Sequence, residues 1–287
     1  MFWYYTELFY KSKKGIIIKS EITSIAIGGF DGMHLAHQQL FKKLDTKGGI
    51  VVIQTGYANL SPYTNRAEHT IYPLFYYPLD NIKHLSAQEF ISLLNEEFPN
   101  LQKIVVGYDF HFGHKAAYDT NDLKTLFKGE VIVVDEYSLD NTSIHSRVIR
   151  ASLREGDIDK ANRLLGYNYK IKGHHIKGQG LGKKQFVPTI NIHIEDFLIP
   201  AEAIYITKTI INKKEYKSVT FIGHRATTDG KFAVETHIVQ SYDEDEFLGN
   251  LEVVFYKKIR ANKKYDSFEE LKEQILKDIA YSKEYFI

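Results

Sequence analysis

Between residues 20 and 137 short apolar runs alternate with segments of helical period. Thr23–Phe30, Gly49–Thr55, Lys103–Phe110 and Glu130–Tyr137 are rich in Ile and Val and flanked by turn residues, which predicts four buried strands. Between the second and third lies LSAQEFISLLNEEF, where Ser86 and Glu89 have capping-box spacing and Phe90, Leu93 and Leu94 share one helical face. Strands that alternate with helices predict a doubly wound parallel sheet covered on both sides. Two helical segments, Ser146–Leu153 and Asp157–Leu165, close this half. From Tyr169 the period shortens to two: YKIKGHHIK, INIHI, AIYITKTII, YKSVTFIG, FAVETHIV and NLEVVFYKKIR alternate apolar and polar positions. Turn signals at Asn212-Lys213-Lys214 and Asp229-Gly230 separate them, so the second half is predicted as a small antiparallel barrel. A last helix begins at a Ser267/Glu270 capping box and packs on the barrel through Phe268, Leu271, Ile275 and Ile279. The change of pattern near Gly166 to Tyr169 puts the domain boundary at 167/168, giving domains 1–167 and 168–287.

Composition narrows the function classes. Lys+Arg number 37 and Asp+Glu 36, a formal net charge of +1, which offers no footprint for nucleic acid and leaves small anions as ligands held by local sites. With no cysteine, disulfides and thiolate metal sites are excluded, and a reducing cytoplasm is the simplest location. MFWYYTELFYKSKKG is broken by Glu7 and Lys11 and is read as an opening strand rather than a signal peptide. No apolar run approaches the roughly 18–20 residues of a membrane span, and no obligatory protein partner is evident.

Two constellations carry chemistry. The first is GGFDGMHLAH, residues 28–37, at a strand-to-helix junction. Glycines permit close backbone approach, a helix start offers free N–H groups, and His34 and His37 add donors on one side, an assembly suited to a triphosphate. A lone pair of histidines three apart is more often two surface residues. Zinc lacks an HExxH or a cysteine to complete it, and the glycine-rich context favours the phosphate cradle. The same spacing recurs at His111 and His114, so the motif alone does not choose between copies.

The second constellation follows Gly178, Gly180 and Gly182, three glycines at alternate positions that form either a hairpin or a phosphate-wrapping loop. In VPTIN, Thr189 and Asn191 point to the same strand face, where their oxygens suit Mg²⁺ on ATP. In VETH, Glu235 stands between apolar neighbours, either as an exposed-face carboxylate or as a base within reach of a substrate hydroxyl.

The order of these segments resembles the bacterial bifunctional riboflavin kinase/FMN adenylyltransferases, the FAD synthetases. GGFDGMHLAH is similar to their GxFDGxHxGH signature, VGYDFHFG at 106–113 to their VGxDFxFG, and Gly156-Asp157, Ala161 and Leu164-Leu165-Gly166 to the tail before the kinase module. PTIN resembles PTAN, Ala203-Ile204-Tyr205 the GVY strand, Ile222-Gly223-His224-Arg225 the IGxR segment, and FYKKIR at 255–260 a segment with a flavin-proximal arginine. The resemblance implies a nucleotidyltransferase-type Rossmann-like sheet followed by a riboflavin kinase-like barrel with a terminal helix. It implies the substrates riboflavin, FMN and ATP, with Mg²⁺, and FMN and FAD as products. It places ATP against Gly28, Phe30, Asp31, Gly32, His34, His37, Ser146 and Arg150 in one half, and against Gly178, Gly180, Gly182, Thr189 and Asn191 in the other. Asp109, Phe110, Phe112 and Arg260 are then flavin contacts, Thr189 and Asn191 the metal positions, and Glu235, His34 and His37 the catalytic groups. The chain departs from the family pattern at Ala36 for glycine, at Arg147 for threonine, and in lacking PHP after the second strand. Two alternatives stay open on the sequence: a riboflavin kinase with a degenerate adenylyltransferase half, and a flavin-binding regulatory or carrier protein without turnover.

Overall fold

The computed structural model describes residues 9–12, 15–176, 187–225, 230–240 and 249–287. The chain divides into two compact units, Met1–Ser146 and Arg147–Ile287.

Among the described residues the first unit begins with a hairpin of β1 (Phe9–Ser12) and β2 (Gly15–Ile18); of the opening strand expected within residues 1–15, β1 is described, while residues 1–8 and 13–14 lie outside the described residues. Then follow β3 (Ser24–Gly28), α1 (Leu35–Phe41), β4 (Gly48–Gln54), β5 (Leu74–Pro78), α2 (Leu79–Ile82), α3 (Ala87–Glu97), β6 (Lys103–Gly107), α4 (Thr120–Leu126) and β7 (Glu130–Val134). A short hairpin, β8 (Ser138–Leu139) with β9 (Thr142–Ser143), ends the unit. The five central strands form a parallel sheet in the order β5-β4-β3-β6-β7. Alternation decides which helix each side chain meets. Ile25, Ile27, Ile104 and Val106 pack with Phe90, Ile91 and Leu94 of α3 and Leu123 of α4, whereas Ala26, Ile50, Val52 and Val105 pack with Leu40 and Phe41 of α1. α3 starts with the predicted capping box, both halves of it formed between Ser86 and Glu89. The sequence pattern gives four of these strands and misses β5. Its segment LFYYP is bracketed by prolines, and Pro78 is tolerated because β5 is an edge strand paired on one side only.

The second unit begins with α5 (Ser146–Glu155), whose first residue belongs to the first unit, and α6 (Ile158–Leu165). Both helices lie with the barrel: the Ala201 N–H donates to Leu153 O (2.9 Å), and Asn162 Nδ2 donates to Phe255 O (3.0 Å). The contact division therefore falls earlier than the change of sequence pattern near Gly166. β10 (Lys170–Ile176), β11 (Ile190–His193), β12 (Ala203–Ile211), β13 (Lys214–His224), β14 (Phe232–Ile238) and β15 (Asn250–Ala261) close into an antiparallel barrel in the order β10-β11-β14-β13-β12-β15. Asn212 and Lys213, with φ of 50° and 67°, make the predicted tight turn between β12 and β13. α7 (Phe268–Tyr285) covers part of the barrel's outer face, with Ile275 and Ile279 against Ile204 and Val219. The predicted stripe is corrected at its start. Phe268 is 45% exposed, and the buried face continues instead through Asp278 and Ser282.

The barrel interior holds five buried hydroxyls in a closed ring. Thr209 donates to Ser218 (2.9 Å) and Thr220 to Thr236 (3.0 Å). Thr207 meets Ser218 and Thr220 (2.8 Å each), and Thr209 meets Thr236 (3.0 Å). A hydroxyl can donate once and accept, so the circuit is satisfied in a single rotational sense: 209 to 218 to 207 to 220 to 236 and back. Thr220→Val keeps the shape and removes two links, leaving buried oxygens short of a partner. Its expected cost is about 1–3 kcal/mol of unfolding free energy, measured by denaturant titration, with Thr220→Ser largely sparing it.

Candidate active sites

In the first unit β4 and β5 lie on one side of β3, and β6 and β7 on the other. In such a sheet, ligands bind in the crevice beyond the carboxyl ends of the strands where the order reverses. The loops at those two ends are GGFDGMHLAH after β3 and YDFHFGH after β6.

The first loop is held in a tight, strained path. Phe30, Gly32 and Met33 have φ of 47°, 83° and 43°, two of them non-glycine residues in the left-handed region. A side chain at Gly28 would meet the Phe30 ring at 3.0 Å, so that glycine lets the ring fold inward. Fixed groups hold the strain. The Asp31 carboxylate accepts from the backbone N–H groups of Asn59, Leu60 and Ser61 (3.0–3.3 Å), and the Gly32 N–H donates to Ser61 Oγ (2.7 Å). Arg66, buried, donates through Nε to Phe30 O (3.2 Å), and Ser146 Oγ donates to Asp31 O (2.8 Å). Asp31 thus ties the loop to residues 59–61, and Ser146 ties the loop to the end of the unit. Arg150 lies on α5 in the second unit.

His34 caps α1, its Nδ1 facing the His37 N–H at 3.4 Å, and is only 3% exposed. The two imidazoles stack with centroids 3.5 Å apart, and Phe30 meets His37 edge-on at 5.1 Å. Burial first, then the neighbouring His34, Arg66 and His145, push the His37 pKa well below the ordinary 6.5. His37 is therefore neutral near pH 7, and its Nδ1 is buried with no hydrogen-bond partner in the protein. Ala36 is the second residue of α1, a helical position where alanine is favoured over the family's glycine by about 1 kcal/mol.

After β6, Asp109 is exposed and Phe110 half-buried, stacked on Phe112 at 5.7 Å. Phe112 is 6% exposed and belongs to the core beside Phe90, so it supports Phe110 from below. Gly113 is required: at φ 72° a side chain would lie 2.7 Å from Tyr118. His111 turns its Nδ1 to Asp109 O (3.0 Å) and is separate from the histidine pair on the first loop.

In the second unit, Asn191 of β11 is the direct cross-strand partner of Glu235 of β14, and Thr189 precedes Asn191 by two positions. The inward residues Ile190 and Thr236 form the neighbouring pair, so Asn191 and Glu235 share the outer face. Two residues that sequence reasoning passed over complete the cluster. Arg225 NH1 donates to Glu235 Oε1 (3.1 Å), and His237 Nδ1 lies 2.7 Å from Pro188 O, fixing the start of the PTIN segment. Arg225 stood in the quoted IGxR segment and His237 in VETH; their contacts were invisible because both depend on strand pairing. Arg260 is engaged elsewhere. Its guanidinium forms a fork on the buried Asp278 of α7, with Nε at 3.0 and 3.1 Å and NH2 at 2.7 Å. Gly178, Gly180 and Gly182 lie outside the described residues.

The chain matches the model of a family described as riboflavin kinase over residues 165–286 and that of FAD synthetase over 73–148. It is 28% identical over 289 residues to the bifunctional riboflavin kinase/FMN adenylyltransferase of Listeria monocytogenes, covering 91% of this chain and 92% of that one. The chain belongs to the bifunctional riboflavin kinase/FMN adenylyltransferase family. A family member of Bacillus subtilis is 28% identical, with 91% and 92% covered. The trifunctional protein RibF/MnmA of Mycoplasmoides gallisepticum is 33% identical over 88% of this chain and 38% of its own length. A crystal structure described as the macrolide-efflux protein of Streptococcus pneumoniae superposes with a TM-score of 0.80 at 25% identity, covering 92% of this chain and 94% of that one. Among the described residues no helix is long and apolar enough to cross a membrane. The Thr189, Asn191 and Glu235 cluster lies within the riboflavin kinase match, and VGYDFHFG within the FAD synthetase match; GGFDGMHLAH lies N-terminal to the latter.

Proposed function

We propose that this chain makes FMN from riboflavin and ATP at the barrel, and FAD from FMN and a second ATP at the parallel sheet, as a family member with both modules. Residues 1–167 would carry the adenylyltransferase and 168–287 the kinase. The observation that carries the kinase assignment is the direct pairing of Asn191 with Glu235 on the outer face, with Thr189 two positions away. Glu235 takes the proton of the ribityl 5′-hydroxyl as its oxygen attacks the γ-phosphorus of ATP and ADP departs. Arg225 holds that carboxylate in place, and His237 holds the PTIN segment opposite it. Asn191 on β11 and Thr189 just ahead of that strand offer hard oxygen donors two positions apart, a set that fits Mg²⁺. Mg²⁺ bound with ATP neutralises phosphate charge.

At the sheet, a phosphate oxygen of FMN attacks the α-phosphorus of ATP and pyrophosphate leaves. The charge that builds there needs donors already in place. His34, a neutral His37 and the N–H groups of the loop through Gly28, Phe30 and Gly32 supply them, with Asp31 and Ser146 holding the loop's shape. Ser146, Asp109 and Phe110 are assigned to the nucleotide and flavin sides of this site. The substrates are small molecules, and a chain without cysteine suits a reducing cytoplasm.

Incubation with riboflavin, ATP and Mg²⁺, followed by chromatography, should show FMN rising first and FAD after it. FMN that accumulates without FAD would overturn the adenylyltransferase assignment, and absence of both would overturn the whole reading.

A further inference from the structure

On the barrel's outer face, away from the hydroxyl ring, His174 of β10 and His193 of β11 are direct cross-strand partners with ring centroids 5.0 Å apart. Glu195 follows His193 by two positions, and its Oε1 lies 3.7 Å from His193 Nε2. One ligand atom from each of the three residues lies within 4.8 Å of the other two. Strand geometry accounts for the convergence. Opposed side chains on neighbouring strands stand about 4.5–5.5 Å apart at Cβ, which brings the two histidines together, and Glu195, just beyond the end of β11, approaches His193 from the same strand's continuation. A tetrahedral site with bonds of about 2.0 Å sets its donors about 3.3 Å apart. The His193 and Glu195 side chains, 51% and 66% exposed, are free to rotate inward over that remaining distance.

The donor set selects the cation. Two imidazoles and a carboxylate suit Zn²⁺ and its neighbours Co²⁺ and Ni²⁺, whereas Mg²⁺ demands oxygen ligands and gives up its water reluctantly. We propose that His174, His193 and Glu195 form a surface site for a divalent transition-metal ion of the Zn²⁺ class, with three protein ligands and a position left for water. This site is separate from the oxygen donors at Thr189 and Asn191. His193 stands two residues beyond Asn191 on the same strand, about 7 Å along it. The ion would bridge β10 to β11.

Calorimetric titration of the full chain with Zn²⁺, in excess Mg²⁺, is expected to show one saturable site. His174→Ala and His193→Ala should each raise its Kd by more than about tenfold, since even loss of an outer-shell partner costs that much. Co²⁺ added to the wild type should give visible d–d absorption that His193→Ala abolishes. Glu195→Gln, an exposed and conservative change, provides a variant that folds even if a histidine variant does not, and it too should weaken binding. No saturable Zn²⁺ binding, or wild-type affinity in any folded variant of the three, overturns the proposal.

Discussion

Glu235→Gln is expected to lower riboflavin phosphorylation by about 10²- to 10⁴-fold in kcat, while FAD formation from supplied FMN continues at the wild-type rate. The carboxylate sits between Val234 and Thr236 on β14, faces Asn191 across the sheet and is held by Arg225 at 3.1 Å. Glutamine keeps the size and an oxygen for Arg225 to bond, so the loss reads the missing base more than a missing contact. Weakening the charge-assisted hydrogen bond to Arg225 costs about 1 kcal/mol or less at a site partly open to water. Riboflavin-dependent ADP release measures the kinase, and conversion of added FMN in the same sample serves as the control for folding. A variant that phosphorylates riboflavin as fast as the wild type would show that Glu235 is not the base.

His34→Ala should have the opposite selectivity, cutting FAD formation from FMN by about 10²- to 10³-fold and sparing FMN formation. His34 is 3% exposed, caps α1 and stacks on His37, so truncation also loosens the start of that helix. A second substitution separates the two effects. His34→Asn retains a capping acceptor and should recover the thermal midpoint lost in His34→Ala while leaving adenylylation slow. Loss of only several-fold in both variants would make His34 a packing residue. Equal loss of FMN and FAD formation would point to a folding defect.

Legibility in the sequence followed the range of the interaction. Strand alternation alone places Asn191 and Glu235 on their strands, with Thr189 just ahead of β11, and all six barrel strands follow from the change of period at Tyr169. That Asn191 and Glu235 meet depends on β11 pairing with β14, strands far apart in the chain, and no local pattern carries that register. Arg225 and His237 stayed hidden for the same reason, as did Arg66, whose segment has no helical or strand period. Asp31 shows the complementary case. Its type and position match a nucleotide signature, yet its carboxylate is taken by three backbone N–H groups from residues 59–61. Arg260 likewise reads as a ligand-facing cation, and in the fold it anchors Asp278. β5 escaped because proline at a strand end counts against a strand unless the strand lies on an edge, which is a property of the sheet and not of the segment.

The ring of hydroxyls in the barrel also keeps count along β14. Side chains alternate, so Thr236 can close the circuit with Thr209 and Thr220 only if Glu235 and His237 point outward. A slip of one residue would break two links at once and drive a carboxylate and an imidazole into an interior that holds no charged side chain to meet them among Thr207, Thr209, Ser218 and Thr220. Five neutral oxygens thus act as a parity check on the strand, and the outward-facing carboxylate of Glu235 is the result that check enforces.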